Sequence, residues 1–165
     1  MVRLSFMFAY LFLLMTAQVP SPTDWRGLSP LNSTRMDVER TLGPPDQKLD
    51  NGQMTYYFPD VVVFFHFTSN PKCQQKLSYS SWNVTSDTVT GIDVHLRHPP
   101  FLSETDIDLT KFKKIRGDPD LPDRYHYLNA DVSFAIKIGN NHVVGYHYRL
   151  GEHHKNLRCE PINQP

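Results

Sequence analysis

Few cysteines, no excess of charge of either sign and almost no long apolar run distinguish this 165-residue sequence. Lysine and arginine total 17, as do aspartate and glutamate, so the formal net charge is zero. A protein that holds nucleic acid or a membrane surface mainly through charge needs a basic excess, which is missing here. We therefore expect no nucleic-acid partner.

The sequence has only two cysteines, Cys73 and Cys159. They do not form a CxxC motif, the spacing typical of zinc ligands and redox pairs. In an exported protein an even count favours a single disulfide, which would tie the C-terminal tail to the segment after an early strand. A metal or redox pair is the alternative interpretation.

The one long apolar run lies at the N-terminus, from Leu4 to Met15, and follows the positive charge of Arg3. It has the length of a signal-peptide core, whereas a membrane-spanning helix needs about 20 apolar residues. We predict a signal peptide over residues 1–18 and a secreted or periplasmic mature chain. An uncleaved signal is the alternative, and it would be the chain's sole contact with the membrane.

The clearest local signal in the sequence is a short helix that ends at Gly43. Ser33 or Thr34 can cap its start, because a hydroxyl oxygen accepts a hydrogen bond from a free backbone N–H. Gly43 permits a positive φ angle, and the two prolines that follow prevent continuation. Val38 and Leu42 form a narrow apolar face, which a helix of about two turns must dock on a larger element.

The segments after this helix have the alternation and the aromatic and β-branched content of strands. Segment 108–115 is ambiguous, because Asp108 can cap a helix and the apolar residues after it have helical spacing. The overall pattern predicts an α+β fold in which short helices pack on an antiparallel sheet, as a single domain over residues 19–165. The predicted strands are 55–58, 61–67, 88–96, 125–128, 132–138 and 142–148.

Residues 25–98 and 101–159 also repeat a similar order of elements. Each stretch reads as a helix, a turn and three strands, and segment 88–94 around Gly91 matches segment 142–148 around Gly145. The sequence thus suggests two half-repeats of helix-strand-strand-strand. Chance similarity between strand-rich segments is the alternative.

Two resemblances to known families accompany these patterns. Residues 34–45 and 89–94 resemble the small outer-membrane-assembly lipoproteins (SmpA/OmlA) and beta-lactamase-inhibitor-protein-like domains, which implies short helices on one face of an antiparallel sheet. The chain lacks the lipid-attachment cysteine of those lipoproteins, so that anchoring is not implied. A wider likeness to uncharacterised exported proteins of Acidobacteriota-type bacteria implies export and no particular activity; it rests on residues 25–28, 33–35, 42–45, 82–84, 109–114 and 157–159.

Motifs for known catalytic chemistry are missing from the sequence. There is no GxSxG, no HExxH, no glycine-rich phosphate loop and no dinucleotide fingerprint, so we predict no catalytic residue, no cofactor and no metal ligand. His126 and His147 would share one face of the sheet if their strands pair, but we interpret them as structural or surface residues. Asp118, Asp120 and Asp123 lack the spacing of a calcium loop and are interpreted as turn residues.

Aromatic residues are abundant on both sides of several predicted strands. If helices cover one face of the sheet, the other face can present aromatic side chains to a protein or glycan partner; the alternative is that the second face is buried as well. We therefore expect a non-enzymatic binding module. The alternatives are a small extracytoplasmic hydrolase or metal-dependent enzyme, and an inhibitor or assembly factor for another envelope protein; a polar cleft with converging carboxylate and histidine groups would favour the enzyme. The candidate binding face comprises Tyr56, Tyr125, Tyr127, Tyr146 and Tyr148.

Overall fold

A computed structural model describes residues 21, 23–68, 73, 82–116, 124–129, 134–150 and 152–159. The predicted signal peptide over residues 1–18 lies outside this part of the chain. In the described part, no helix is long and apolar enough to cross a bilayer. The elements are helix α1 (Arg35–Leu42) and strands β1 (Gln47–Lys48), β2 (Met54–Tyr57), β3 (Val61–Phe67), β4 (Val89–Leu96), β5 (Lys113–Arg116), β6 (Arg124–Asn129), β7 (Phe134–Gly139) and β8 (His142–Arg149).

The eight strands form one antiparallel sheet in the order β1-β2-β3-β4-β8-β7-β6-β5. Each half of the sheet is a four-strand meander, and the last strands of the two meanders, β4 and β8, pair at the centre. We call this central β4–β8 pairing the seam. The predicted α+β class is confirmed, with the sheet as the larger part.

The two halves have the same register on either side of the seam. A register shift directly follows His66 in the β3–β4 ladder and directly follows Lys137 in the β7–β8 ladder. Such shifts mark β-bulges, which bend and twist a strand locally. The corresponding cross-strand pairs are Phe64–Asp93 with Ala135–His147, and His66–Gly91 with Lys137–Gly145.

The helices do not repeat in the same way, so the predicted helix-strand repeat is not confirmed. The ambiguous segment 108–115 forms a 3-10 helix over Leu109–Lys111 and then enters β5. Asp108 caps this 3-10 helix by accepting a hydrogen bond from the backbone N–H of Thr110, at 3.1 Å. The cap that the sequence predicts is therefore present, but it starts a single turn instead of a longer helix.

Helix α1 has the ends that its sequence predicts. The hydroxyl oxygen of Thr34 accepts from the backbone N–H of Asp37, and the Asp37 carboxylate accepts from the backbone N–H of Thr34, which completes a capping box. Gly43 ends the helix with a φ of 83°. Val38 is fully buried, and the Tyr56 hydroxyl donates to the carbonyl of Gly43 at 3.0 Å, so the helix is fixed to the sheet at its end.

Helix α1 and the Trp25–Leu28 turn cover one face of the sheet, which we call the core face. Trp25 packs edge-on against Phe65, with ring centroids 6.0 Å apart. Successive side chains of each strand point alternately to the core face and to the opposite face, which we call the open face. The largest fully buried side chains of the core are Tyr148, Phe65, Phe134, Met54, Ile92, Ile136, Val38, Val63, Val89, Val94 and Val143.

Cys73 and Cys159 are joined in the predicted disulfide. The bridge connects the β3–β4 segment of the first half with the tail that follows β8 in the second half, across 86 residues of sequence. In the chain-entropy model a loop of this size stabilises a fold by about 4 kcal/mol. The covalent link therefore holds the two halves together in addition to the strand pairing at the seam.

Candidate functional site

A group of four ionisable side chains occupies the centre of the open face. Asp93 on β4 lies directly opposite His147 on β8 across the seam. His66 and Lys137 approach from the outer strands β3 and β7, where they hold corresponding register positions. We call these four residues the seam cluster.

The Asp93 carboxylate is the centre of the seam cluster. Its Oδ2 atom lies 3.0 Å from Nε2 of His66. Its Oδ1 atom is contacted by Nζ of Lys137 and by Nδ1 of His147. One carboxylate therefore orients two imidazole rings and neutralises the ammonium group of Lys137.

Three of the four side chains are largely buried, which strengthens the electrostatic interactions between them. The side chains of Asp93, Lys137 and His147 are 14%, 18% and 17% exposed, whereas His66 is 40% exposed. Removal from water opposes the ionisation of Asp93, but the contacts of His147 and His66 with the carboxylate and the charges around it outweigh this effect, so the pKa of Asp93 lies below its ordinary value. Asp93 is therefore an anion across the physiological pH range.

The pKa values of the second half's histidines, His126 and His147, are also lowered, which for a histidine favours the neutral form. Burial lowers the pKa of His147, and the charges of Arg149 and Lys137 lower it further, while Asp93 works against the shift. The pKa of His126 is lowered first by burial and then by the same two cations. Both imidazoles are therefore neutral at pH 7 and can exchange hydrogen bonds without carrying charge.

His66 also lines a pocket at the end of β3, which we call the His66 pocket. Its volume is about 380 Å³. None of the described lining residues carries a carboxylate, ammonium or guanidinium group; they supply one indole, one phenyl ring, one imidazole, two amides and two hydroxyls. These residues are Asn51, Gln53, His66, Phe67, Thr68, Trp82 and Thr90.

The C-terminal tail holds the indole wall of this pocket. Trp82 forms a β-bridge with Arg158, whose guanidinium lies 5.4 Å from the indole centroid. The backbone N–H of Asn83 donates to the carbonyl of Leu157 at 2.6 Å. Because Cys159 follows directly and is bonded to Cys73, the disulfide fixes the strip of tail that supports Trp82.

The structure corrects the predicted tyrosine face. Tyr56, Tyr146 and Tyr148 are 2%, 8% and 1% exposed, so they belong to the core and cannot meet a partner. The reason is register: Tyr146 and Tyr148 oppose core residues of β7, which places them on the face that α1 and the 3-10 helices cover. Tyr125 and Tyr127 lie on that same face and are half-buried.

The histidines that the sequence suggested as neighbours do share a face. His126 and His147 both lie on the open face, with β7 between their strands. Among the described residues, no group of three or more histidine, cysteine or acidic side chains is arranged to hold a metal ion. Asp118, Asp120 and Asp123 lie outside the described residues.

Three members of the seam cluster, His66, Asp93 and Lys137, were not singled out as site residues from the sequence. Each is a polar residue within an otherwise apolar or alternating strand, and that is the signal that marks them. Their convergence depends on the pairing of β4 with β8, which local patterns do not specify.

Comparison of the chain with protein-family models, with curated proteins and with solved structures finds no match. The fold and the site thus define an α+β protein with an eight-stranded antiparallel sheet, a seam cluster on its open face and a polar pocket beside that cluster.

Proposed function

We propose that the protein is an exported, non-enzymatic binding module that holds a neutral, polyhydroxylated ligand of the glycan type in the His66 pocket. The observation that carries this proposal is that the described lining residues of the pocket are uncharged and able to form hydrogen bonds, and lie beside an indole. Sugars present hydroxyls to amides and imidazoles and apolar ring faces to aromatic side chains, which is the combination found here.

The seam cluster contributes to this binding by orienting His66. Asp93 orients the imidazole through a hydrogen bond at Nε2. The carboxylate is not among the described lining residues of the pocket and contacts Lys137 and His147. A preoriented ring costs less entropy when a ligand binds. The disulfide supports an oxidising compartment, secreted or periplasmic, as the place where the module works.

Trp82 and Trp25 allow a direct test, because the chain has only two tryptophans and Trp25 is buried in the core. The mature, oxidised protein is titrated with a panel of neutral oligosaccharides while tryptophan fluorescence is recorded. We expect a saturable change that persists in Trp25→Phe, disappears in Trp82→Phe, and weakens in His66→Ala. Absence of saturable binding across the panel, or a signal that arises from Trp25, would refute the proposal.

A second candidate function follows from one observation, the hydrogen bond between His66 and Asp93. A carboxylate that orients an imidazole is an arrangement that can make the ring a general base. Acting on an acylated sugar, His66 would accept a proton from water as the water oxygen adds to the acyl carbon; the ester bond breaks and the departing alkoxide is protonated. Release of acetate from an acetylated oligosaccharide, lost in His66→Gln, would support the hydrolase over the binding module.

A further inference from the structure

A second pocket of about 310 Å³ lies on the core face of the second half, which we call the Lys114 pocket. It is separate from the His66 pocket, which lies at the end of β3 in the first half, and its function does not depend on that site. Tyr125 and Tyr127 lie on the same side of β6, one on either side of His126. Lys114 on the edge strand β5 extends over both rings. Asn140 and Asn141 contribute from the β7–β8 turn.

Lys114 is the charged group of this pocket. Its Nζ atom lies 3.7 Å from the ring centroid of Tyr125 and 5.9 Å from that of Tyr127. Within the described part of the chain it has no carboxylate partner, whereas Lys111 and Lys137 each contact an aspartate. The two rings therefore hold the ammonium group at the pocket, where no described carboxylate neutralises it.

The turn residues add directed polar groups beside this cation. Asn140 and Asn141 have φ angles of 50° and 62°, as in a tight hairpin turn. Their backbone carbonyls are engaged, by the imidazole of His142 at 2.8 Å and by the N–H of Leu102 at 2.7 Å. Their side-chain amides are exposed, and no described residue hydrogen-bonds to them.

We propose that the Lys114 pocket binds an acidic saccharide, a sugar ring that carries a carboxylate. Lys114 pairs with the carboxylate, the tyrosine rings contact the apolar face of the sugar, and the two asparagine amides bond its hydroxyls. Each of these contacts matches the chemistry of one part of a uronic acid. A flat anion without hydroxyls would leave the amides unused, and a neutral sugar would leave the cation unpaired.

The test titrates the mature, oxidised protein with a trigalacturonate and, separately, with the neutral galactose trisaccharide, by calorimetry or by NMR shift mapping. We expect the acidic trisaccharide to bind and the neutral one to bind at least about tenfold more weakly, since a charge-assisted contact is lost. Lys114→Met should lower the affinity for trigalacturonate by about tenfold or more. The matched control, Lys111→Met, removes an exposed lysine outside the pocket and should leave the affinity unchanged.

Three outcomes would overturn the proposal. They are equal binding of the neutral trisaccharide, unchanged affinity in Lys114→Met, and complete displacement of trigalacturonate by an equal concentration of inorganic phosphate, which would reduce the pocket to an unselective anion site. Lys114→Glu serves as a second variant if Lys114→Met is poorly folded, and it should abolish binding. Trp82→Ala should retain trigalacturonate binding, so a failure at the His66 pocket is distinguishable from a failure here.

Discussion

The two halves of the sheet share strand order and seam register but are covered differently. In the first half, α1 and Trp25 lie on the core face, and Val38 and Trp25 are buried. In the second half, 3-10 helices cover the same face, and the Lys114 pocket remains between β5, β6 and the β7–β8 turn. On its core face, the sheet thus carries a closed core in the first half and a ligand-sized pocket in the second half.

The two halves also differ in the side chains that they place on the open face. At corresponding register positions the first half places His66 where the second half places Lys137, and Asp93 where it places His147. The two halves have similar backbones but different side chains, and these side chains together form one cluster at the seam in which the charges of Asp93 and Lys137 balance. Substitutions at corresponding positions test how far the two halves remain equivalent.

The largest expected effect separates the two seam glycines. A Cβ atom on Gly145 would overlap the backbone carbonyl of Val94 on the neighbouring strand, and a carbonyl in a ladder cannot move aside. We expect Gly145→Ala to lower the free energy of unfolding by about 3 kcal/mol, the upper range for overpacking. Urea unfolding of the oxidised protein, followed by circular dichroism, measures the change.

Gly91 is the matched control for this prediction. A Cβ atom there would lie 3.5 Å from the carbonyl oxygen of Tyr148 and 3.6 Å from the His66 ring, which are ordinary contacts. Gly91→Ala should therefore stay within about 1 kcal/mol of the unsubstituted protein, because alanine also relieves the entropic disadvantage of glycine in a strand. Equal losses in the two variants would show that the β4–β8 spacing is the same at both positions.

These glycines also show what the sequence could predict. A glycine within a strand indicates a bulge or a close backbone approach. The register shift between His66 and Phe67 does fall beside Gly91, but the close approach occurs at Gly145. Local patterns predicted the caps of α1 and the bounds of β2, β3, β4, β6, β7 and β8 to within two residues. Caps and alternation depend on residues that are close in sequence, so they can be recognised without the tertiary structure. The seam could not be predicted, because its paired residues lie 50 to 58 positions apart in the sequence.

The errors have equally local causes. β1 has two residues, too few for a period to be recognised, and the apolar residues before and within β5 repeat at helical spacing. The tyrosine face was wrong for Tyr56, Tyr146 and Tyr148, because alternation separates the two faces of a strand without indicating which one a helix covers. The seam cluster combines both limits: its members are visible as polar residues in strands, but their partners depend on the unpredicted pairing of β4 with β8.

The second prediction concerns the anion that both halves share. In Asp93→Asn, Lys137 is left largely buried without its counter-ion, and both imidazoles lose their orienting group. We expect a loss of about 2 kcal/mol at pH 7, less than for a fully buried pair because the group retains some solvent contact. Lys137→Met should cost less, since Asp93 keeps two histidine partners. An equal or larger loss in Lys137→Met would contradict this order.

The pH dependence of unfolding tests the same cluster. The folded-state pKa of His147 is lowered, so the unfolded chain takes up a proton first, and stability should fall as the pH drops from about 7 to about 5. The pKa of Asp93 is also lowered, and its contribution, present above the ordinary pKa of about 4, is lost only in stronger acid. His147→Gln should reduce the first decline, to which His126 also contributes. Asp93→Asn should reduce the second, to which Asp37 and Asp108 also contribute. A decline between pH 7 and 5 that is unchanged in His147→Gln would assign it to other groups.

The smallest effect contrasts two buried tyrosine hydroxyls. The hydroxyl of Tyr56 in the first half donates to the Gly43 carbonyl and so ties β2 to the end of α1. The hydroxyl of Tyr148 in the second half is buried with no hydrogen-bond partner in the described structure, and burial raises its pKa. Tyr56→Phe should cost about 1 kcal/mol, the net value of a hydrogen bond, whereas Tyr148→Phe should be neutral or stabilising by up to about 1 kcal/mol.

Both tyrosine variants keep the ring and its packing, so urea unfolding at pH 7 isolates the contribution of each hydroxyl. A cost for Tyr148→Phe that equals the cost for Tyr56→Phe would mean that the Tyr148 hydroxyl is satisfied in solution, for example by an ordered water. A gain in Tyr148→Phe together with a loss in Tyr56→Phe would mean that the tyrosine hydroxyl is matched in the half that α1 covers and unmatched in the half that 3-10 helices cover. The second half would then combine an unmatched hydroxyl with a less complete cover, and it is in this half that the Lys114 pocket lies.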